Sequence, residues 1–140
     1  MSLELRAIDP VELEPYANQI SRTFTGSDSG LGRLDRLRRH LEFDRTLAVF
    51  EAGEVIATAG AFSFRMTTVD DRRAAAGVSG VSVRPTHRRQ GLLTRMMRYQ
   101  LADIHPRGEP LAILWASETP IYGCFWPTGS RPLPAGDDQP

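Results

Sequence analysis

Val81-Ser82-Val83-Arg84-Pro85-Thr86-His87-Arg88-Arg89-Gln90-Gly91-Leu92-Leu93-Thr94 decides the fold, because a β-branched strand here passes through a basic, glycine-bearing turn into an amphipathic helix. The first N–H groups of a helix have no intrahelical acceptor and stand at the positive end of its macrodipole. A turn that delivers such a terminus beside arginines suits a phosphate or pyrophosphate. Arg88, Arg89 and Gly91 are therefore the first candidates, Gly91 because a missing Cβ lets the backbone approach a ligand closely. Read from these residues alone, an ordinary strand-to-helix turn capped by solvated arginines fits equally well.

Upstream of this stretch, Thr46 to Phe50, the turn Ala52-Gly53-Glu54 and Val55 to Phe64 read as a hairpin whose long second strand reaches towards Val69. Asp70 to Arg73 is a polar turn, and Ala74 to Val83 is a strand that ends at Arg84-Pro85, since the residue before proline is held extended. Nearer the start, Leu3, Leu5 and Ala7 alternate as in a strand, and Asp9-Pro10 opens a helix expected from about Val11 to Arg22. Thr25 to Gly32 reads as a loop, followed by a second helix carrying Leu34, Leu37 and Leu41.

Downstream, Leu93, Met96, Met97 and Leu101 share one face of a helix from Leu92 to about Ile104, with Pro106 and Gly108 as stops. Leu111 to Ala116 is an almost continuous apolar run, as expected of a strand covered on both faces. A short helix is expected near Pro120 to Phe125. The order β, α, α, β, β, β, α, β predicts an α/β fold in which an antiparallel sheet becomes parallel through one βαβ crossover. Residues 1–126 form the expected domain, and the Pro- and Gly-rich residues 127–140 are expected to be a disordered or loosely attached tail.

Composition excludes several classes of function. All 17 basic residues are arginine, which removes a P-loop lysine or a Schiff-base lysine. The net charge of +0 provides no global attraction for nucleic acid or anionic lipid. Arg33, Arg36, Arg38 and Arg39 are interleaved with Asp35, Glu42 and Asp44 and have no aromatic platform, so they read as a solvated helix face rather than a nucleic-acid stripe. His40, His87 and His105 lack metal-ligand spacing and read as surface or loop residues, so no metal site is expected. Cys124 is the single cysteine, consistent with a reducing compartment. No stretch approaches the ~20 apolar residues of a membrane span, and no signal segment precedes the first strand. A cytoplasmic location without membrane attachment is the expectation.

The hexapeptide Arg88-Arg89-Gln90-Gly91-Leu92-Leu93 resembles the Q/R-x-x-G-x-G/A acyl-CoA signature of the GNAT acetyltransferases, with Leu93 where the signature has Gly or Ala. Together with Val81-Ser82-Val83 upstream and Leu114-Trp115-Ala116-Ser117-Glu118-Thr119-Pro120-Ile121-Tyr122-Gly123 downstream, it resembles the N-terminal domain of Eis-type N-acetyltransferases. The resemblance runs to Phe125 and implies a GNAT-like mixed sheet flanked by helices, truncated after the fifth or sixth strand. It implies N-acetyl transfer from acetyl-CoA to a primary amine, of the kind found in aminoglycoside-like polyamines or lysine side chains. A catalytically degenerate acyl-CoA-binding or protein-interaction remnant of a longer protein is the alternative. In that case an unpaired sheet edge would favour homo-oligomers through strand pairing.

The same resemblance implies roles for individual residues. Main-chain groups of Val81, Ser82 and Val83 would hold the pantetheine arm, and an N–H near Val83 would polarise the thioester carbonyl. Arg88, Arg89, Gln90, Gly91, Leu92, Leu93 and Thr94 would cradle the pyrophosphate, and Ser117 and Glu118 would add cofactor contacts. From spacing alone, Ser117 and Glu118 are as well read as a helix N-cap with an acidic first turn. Tyr122 would be the general acid towards the leaving thiolate. With reference pKa values of ~8.5 for a thiol and ~10 for tyrosine, full transfer from Tyr122 is uphill by ~2 kcal/mol, so its role is hydrogen-bond donation to developing charge. From the residues alone, aromatic packing of Tyr122 against Phe125 is the better reading. A base or water relay is also required, and Glu118, His87, Asp28 and Glu42 are candidates that spacing does not separate.

Overall fold

A computed structural model describes residues 2–26 and 30–114. Its strands are β1 (Leu3–Ala7), β2 (Thr46–Glu51), β3 (Glu54–Thr67), β4 (Arg72–Val83) and β5 (Leu111–Leu114). Its helices are α1 (Leu13–Thr25), α2 (Leu31–His40) and α3 (Leu92–Ile104), with 3-10 turns at Pro10–Glu12, Phe43–Arg45 and Pro85–His87. Among the described residues one sheet runs in the order β1-β2-β3-β4-β5. The first four strands pair antiparallel, and β5 pairs parallel to β4 after the α3 crossover. This is the mixed α/β arrangement expected from the element order.

Alternation along the strands divides the core into two layers. Ala48 and Phe50 face Leu13, Tyr16, Ala17 and Ile20 of α1 and Leu34 of α2. Val49, Ile56 and Ala59 face the opposite side, where Leu92, Met96 and Met97 of α3 cover them. Period-2 strands meeting period-3.6 helices on both faces explain why short apolar runs suffice to build this core. Met96 and Met97 are fully buried. Leu93 and Leu101, expected on the same face, are only half-buried, and Leu92, Gln100 and Ile104 complete it instead. The buried stripe is thus rotated by about one position from the expected one, although the helix limits are the same.

The first helix also shifts from its expected limits. Pro10–Glu12 forms a 3-10 turn in which the Glu12 carboxylate accepts from the Asp9 N–H at 2.9 Å and from the Arg6 guanidinium at 2.7 Å. Val11 consequently points into solvent at 89% exposure and α1 begins at Leu13. At its other end, hydroxyls of Thr23 and Thr25 donate back to the carbonyls of Gln19 and Ser21. The helix thereby continues three residues past Arg22 and stops at Gly26, whose φ of 76° is left-handed.

The expected coverage of both faces of the last strand is not met over its described part. Leu111, Ala112 and Leu114 are half-buried, and Ile113 is 40% exposed. Before that strand, the side chain of Glu109 accepts two hydrogen bonds from the Arg45 guanidinium, at 2.9 and 2.7 Å. With side-chain exposures of 1% for Arg45 and 5% for Glu109, the pair ties the turn before β2 to the connection after α3. The expected helix near Pro120 to Phe125 and the 127–140 tail lie outside the described residues.

Candidate functional site

A cleft of about 740 Å³ opens between β4, α1, α2 and the amino end of α3. One end of it is formed by Arg88, Arg89, Gly91, Leu92, Leu93 and Thr94. The Arg95 N–H donates to the Gly91 carbonyl at 3.0 Å and begins the helical ladder. Helix geometry then leaves the amides of Leu92, Leu93 and Thr94 without intrahelical acceptors, at the positive pole of α3. Gly91 has φ 76° and open space where a Cβ would stand, and Arg89 also lies in the left-handed region at φ 62°. Gln90 is exposed and does not line the cleft.

The turn leading to these amides is fastened to the β2–β3 hairpin. Arg84 donates its backbone N–H to the Ile56 carbonyl at 2.8 Å and its guanidinium to the Val55 carbonyl at 2.9 Å. His87 Nε2 donates to the Glu51 carboxylate at 2.5 Å, and its Nδ1 lies 2.8 Å from the Thr86 hydroxyl. His87 therefore lies in the connecting turn, as a loop residue, but is half-buried and engaged rather than free at the surface. The partner is thirty-six positions away, and local spacing contains no signal for such a contact.

The floor of the cleft is the outer edge of β4. Thr58 pairs with Ser82 and Gly60 with Ser79, so Gly80 and Val81 together stand opposite Ala59 in a bulge. Thr58 donates its hydroxyl to the Gly80 carbonyl at 2.7 Å, and Ser82 in turn donates to Thr58 at 2.6 Å. The Ser82 side chain is thus spent in the interior. The Arg84–Ile56 hydrogen bond makes Ala57 and Val83 a non-hydrogen-bonded pair, so the N–H and C=O of Val83 point away from β3. They point to the side where β5 lies, and the described β4–β5 pairing ends at Val78 and Leu114.

Sequence reasoning missed Tyr16. It is 2% exposed, and its hydroxyl lies 3.0 Å from where a Cβ of Gly60 would stand and 3.1 Å from that of Gly80. Burial pushes its phenol well above the ordinary tyrosine range, so it remains a neutral hydrogen-bonding group. The only available signal was its place on the α1 face with Leu13, Ala17 and Ile20. Of the candidate bases, Glu42 does not line the cleft, and its carboxylate accepts from the Ser63 N–H at 2.6 Å. Tyr122, Ser117, Glu118 and Asp28 lie outside the described residues. Among the described residues there is no cluster of three His, Cys, Asp or Glu side chains suited to a metal. No described helix is long and apolar enough to cross a membrane.

Fold and site together define a mixed α/β domain whose crossover helix presents its amino end, two arginines and a bulged strand edge to one cleft. The model of the acetyltransferase (GNAT) domain matches residues 4–125, and the chain belongs to that family. It is 42% identical over 130 residues to an uncharacterised N-acetyltransferase of Streptomyces coelicolor, covering 89% of this chain and 32% of that protein. The crystal structure of Eis1 from Mycobacterium abscessus superposes with a TM-score of 0.71 at 33% identity, over 86% of this chain and 30% of that one. A predicted acetyltransferase with acetyl-CoA from Clostridium acetobutylicum shares the fold, with a TM-score of 0.76 at 17% identity, over 96% of this chain and 93% of that one. The chain spans about a third of the length of the Streptomyces relative.

Proposed function

We propose that the chain transfers an acetyl group from acetyl-CoA to a primary amine, by direct attack of the amine on the thioester. The observation that carries this reading is the conjunction of unpaired amides at Leu92 to Thr94 with the outward main chain of Val83, along one cleft. The diphosphate of coenzyme A fits the first feature, with Arg88 and Arg89 adding charge-assisted hydrogen bonds. Main-chain groups of Val81 and Val83 hold the pantetheine arm as an added strand would be held. The Val83 N–H then stabilises negative charge on the thioester oxygen, and Tyr122 hydrogen-bonds the departing thiolate. Ser117 and Glu118 add contacts to the same cofactor. Aminoglycoside-like polyamines and lysine side chains are the acceptors that the family resemblance suggests, and the cytoplasm is the compartment that fits a lone cysteine.

Calorimetry with acetyl-CoA, combined with a thiol-release assay on a panel of primary amines, tests the reading. Binding with turnover is the expected result. Binding without turnover would leave an acyl-CoA-binding module, and absence of binding at millimolar ligand would overturn the assignment.

A further inference from the structure

The half of the cleft remote from Arg88 and Arg89 has a different chemistry. Ile20 and Phe24 of α1, Leu37 of α2, Leu41 and Phe62 of β3 give it apolar walls. Phe24 is 59% exposed although it is large and apolar, a placement that folding alone does not reward. Tyr16 contributes a hydroxyl that burial keeps neutral. Among the described lining residues no carboxylate is present, and the one charged side chain at this end is Arg33.

Arg33 is exposed and has no ion-pair partner among the described residues. Its helix offers it none: Asp35 is the sole acid of α2 and is paired with Arg39 at 3.0 Å. Arg36 and Arg38 add further positive charge to the same helix. Among the described lining residues, a polycation meets like charge and apolar walls, both of which disfavour ammonium groups stripped of water. A carboxylate meets a guanidinium whose planar fork can receive it through two hydrogen bonds.

We infer that the acceptor is a monoamine with an apolar, preferably aromatic, body and a carboxylate, which Arg33 binds while the body lies against Phe24, Leu37 and Phe62. The inference rests on the acetyl-transfer reading and departs from the polyamine acceptors that the family resemblance suggests. Arg33 is a specificity-determining residue in this scheme, because it touches the acceptor and none of the reacting atoms. The acceptor amine attacks the thioester carbon, the carbon–sulfur bond breaks, the thiol leaves with one proton, and the amide product keeps its carboxylate.

The test compares L-phenylalanine with phenethylamine, and 4-(aminomethyl)benzoate with benzylamine, each pair differing only by the carboxylate, with spermidine as the polycation. At least one carboxylated member is expected to show a tenfold or larger advantage in kcat/KM over its partner and over spermidine. In Arg33→Gln that advantage should shrink to below threefold while the KM for acetyl-CoA and the melting temperature stay unchanged. Arg33→Lys should retain part of it. Spermidine outperforming all four monoamines, or an unchanged ratio in Arg33→Gln, would overturn the inference while leaving acetyl transfer intact. No turnover with any of the five amines would likewise overturn the inference, whereas failure of acetyl-CoA to bind in calorimetry would remove both.

Discussion

Gly80 and Gly91 both occupy left-handed backbone, at φ 63° and 76°, yet they differ in what surrounds them. A Cβ on Gly80 would stand 3.0 Å from Ile20 Cδ1 and 3.1 Å from the Tyr16 hydroxyl, whereas one on Gly91 would meet nothing within 4 Å. Left-handed backbone costs an L-residue roughly 1–2 kcal/mol, and that strain is common to both sites. Only at Gly80 must buried side chains of α1 also move. We expect Gly91→Ala to lose about 1 kcal/mol in urea denaturation and Gly80→Ala to lose at least twice as much. Equal losses would show that Tyr16 does not crowd the bulge. Arg89 sits in the same backbone region without being glycine, at φ 62°. A side chain held where it strains the chain is consistent with a task for its guanidinium at the cleft.

At the scale of elements, legibility depended on how local the determining contacts are. The limits of α3 follow from Gly91 and Pro106, which act within a turn of the helix ends, and the structure places it at Leu92–Ile104 as expected. The β2–β3 and β3–β4 hairpins were equally readable, because turn residues and alternation are short-range signals. The bulge at Gly80 was not, since Gly77, Ser79 and Gly80 blur the alternation that sets register. The basic glycine turn from Arg88 to Gly91 was recognisable as a motif, whereas its tether from His87 to Glu51 arises only when two hairpins meet. The Arg45–Glu109 pair is a longer-range case, with sixty-four positions between partners. Removing one partner of a buried pair leaves an uncompensated charge and costs about 3–5 kcal/mol. Asp103, at 3.8 Å from Arg45 Nε, softens this. Glu109→Gln should therefore lose about 3 kcal/mol of unfolding free energy, and the double change Arg45→Met, Glu109→Leu should recover most of it. A loss under ~1 kcal/mol for the single variant would mean that solvent reaches the pair.

Across the whole molecule, the cleft joins layers that the sheet otherwise keeps apart. Tyr16 and Ile20 belong to the α1 side of the core and Leu92 to the α3 side, yet all three line the same space. A ligand lying along β4 therefore contacts both layers and the crossover helix at once, so binding should oppose unfolding of the entire domain rather than of one element. A ligand that binds only the folded state stabilises it by about 2.7 kcal/mol at one hundred times its dissociation constant. For a chain of this size each kcal/mol moves the midpoint by roughly 3 °C, so acetyl-CoA at that excess should raise Tm by about 8 °C. In the proposed placement pantetheine, which lacks the diphosphate, would reach the strand edge but not the helix terminus, and at the same concentration it should give less than half of that shift. Arg88→Ala should reduce the acetyl-CoA shift while leaving the pantetheine shift unchanged, because Arg88 lines the cleft beside the amino end of α3, where the proposed site holds the diphosphate. Equal shifts for the two ligands would place the binding energy on β4 and remove the helix terminus from the account of the site.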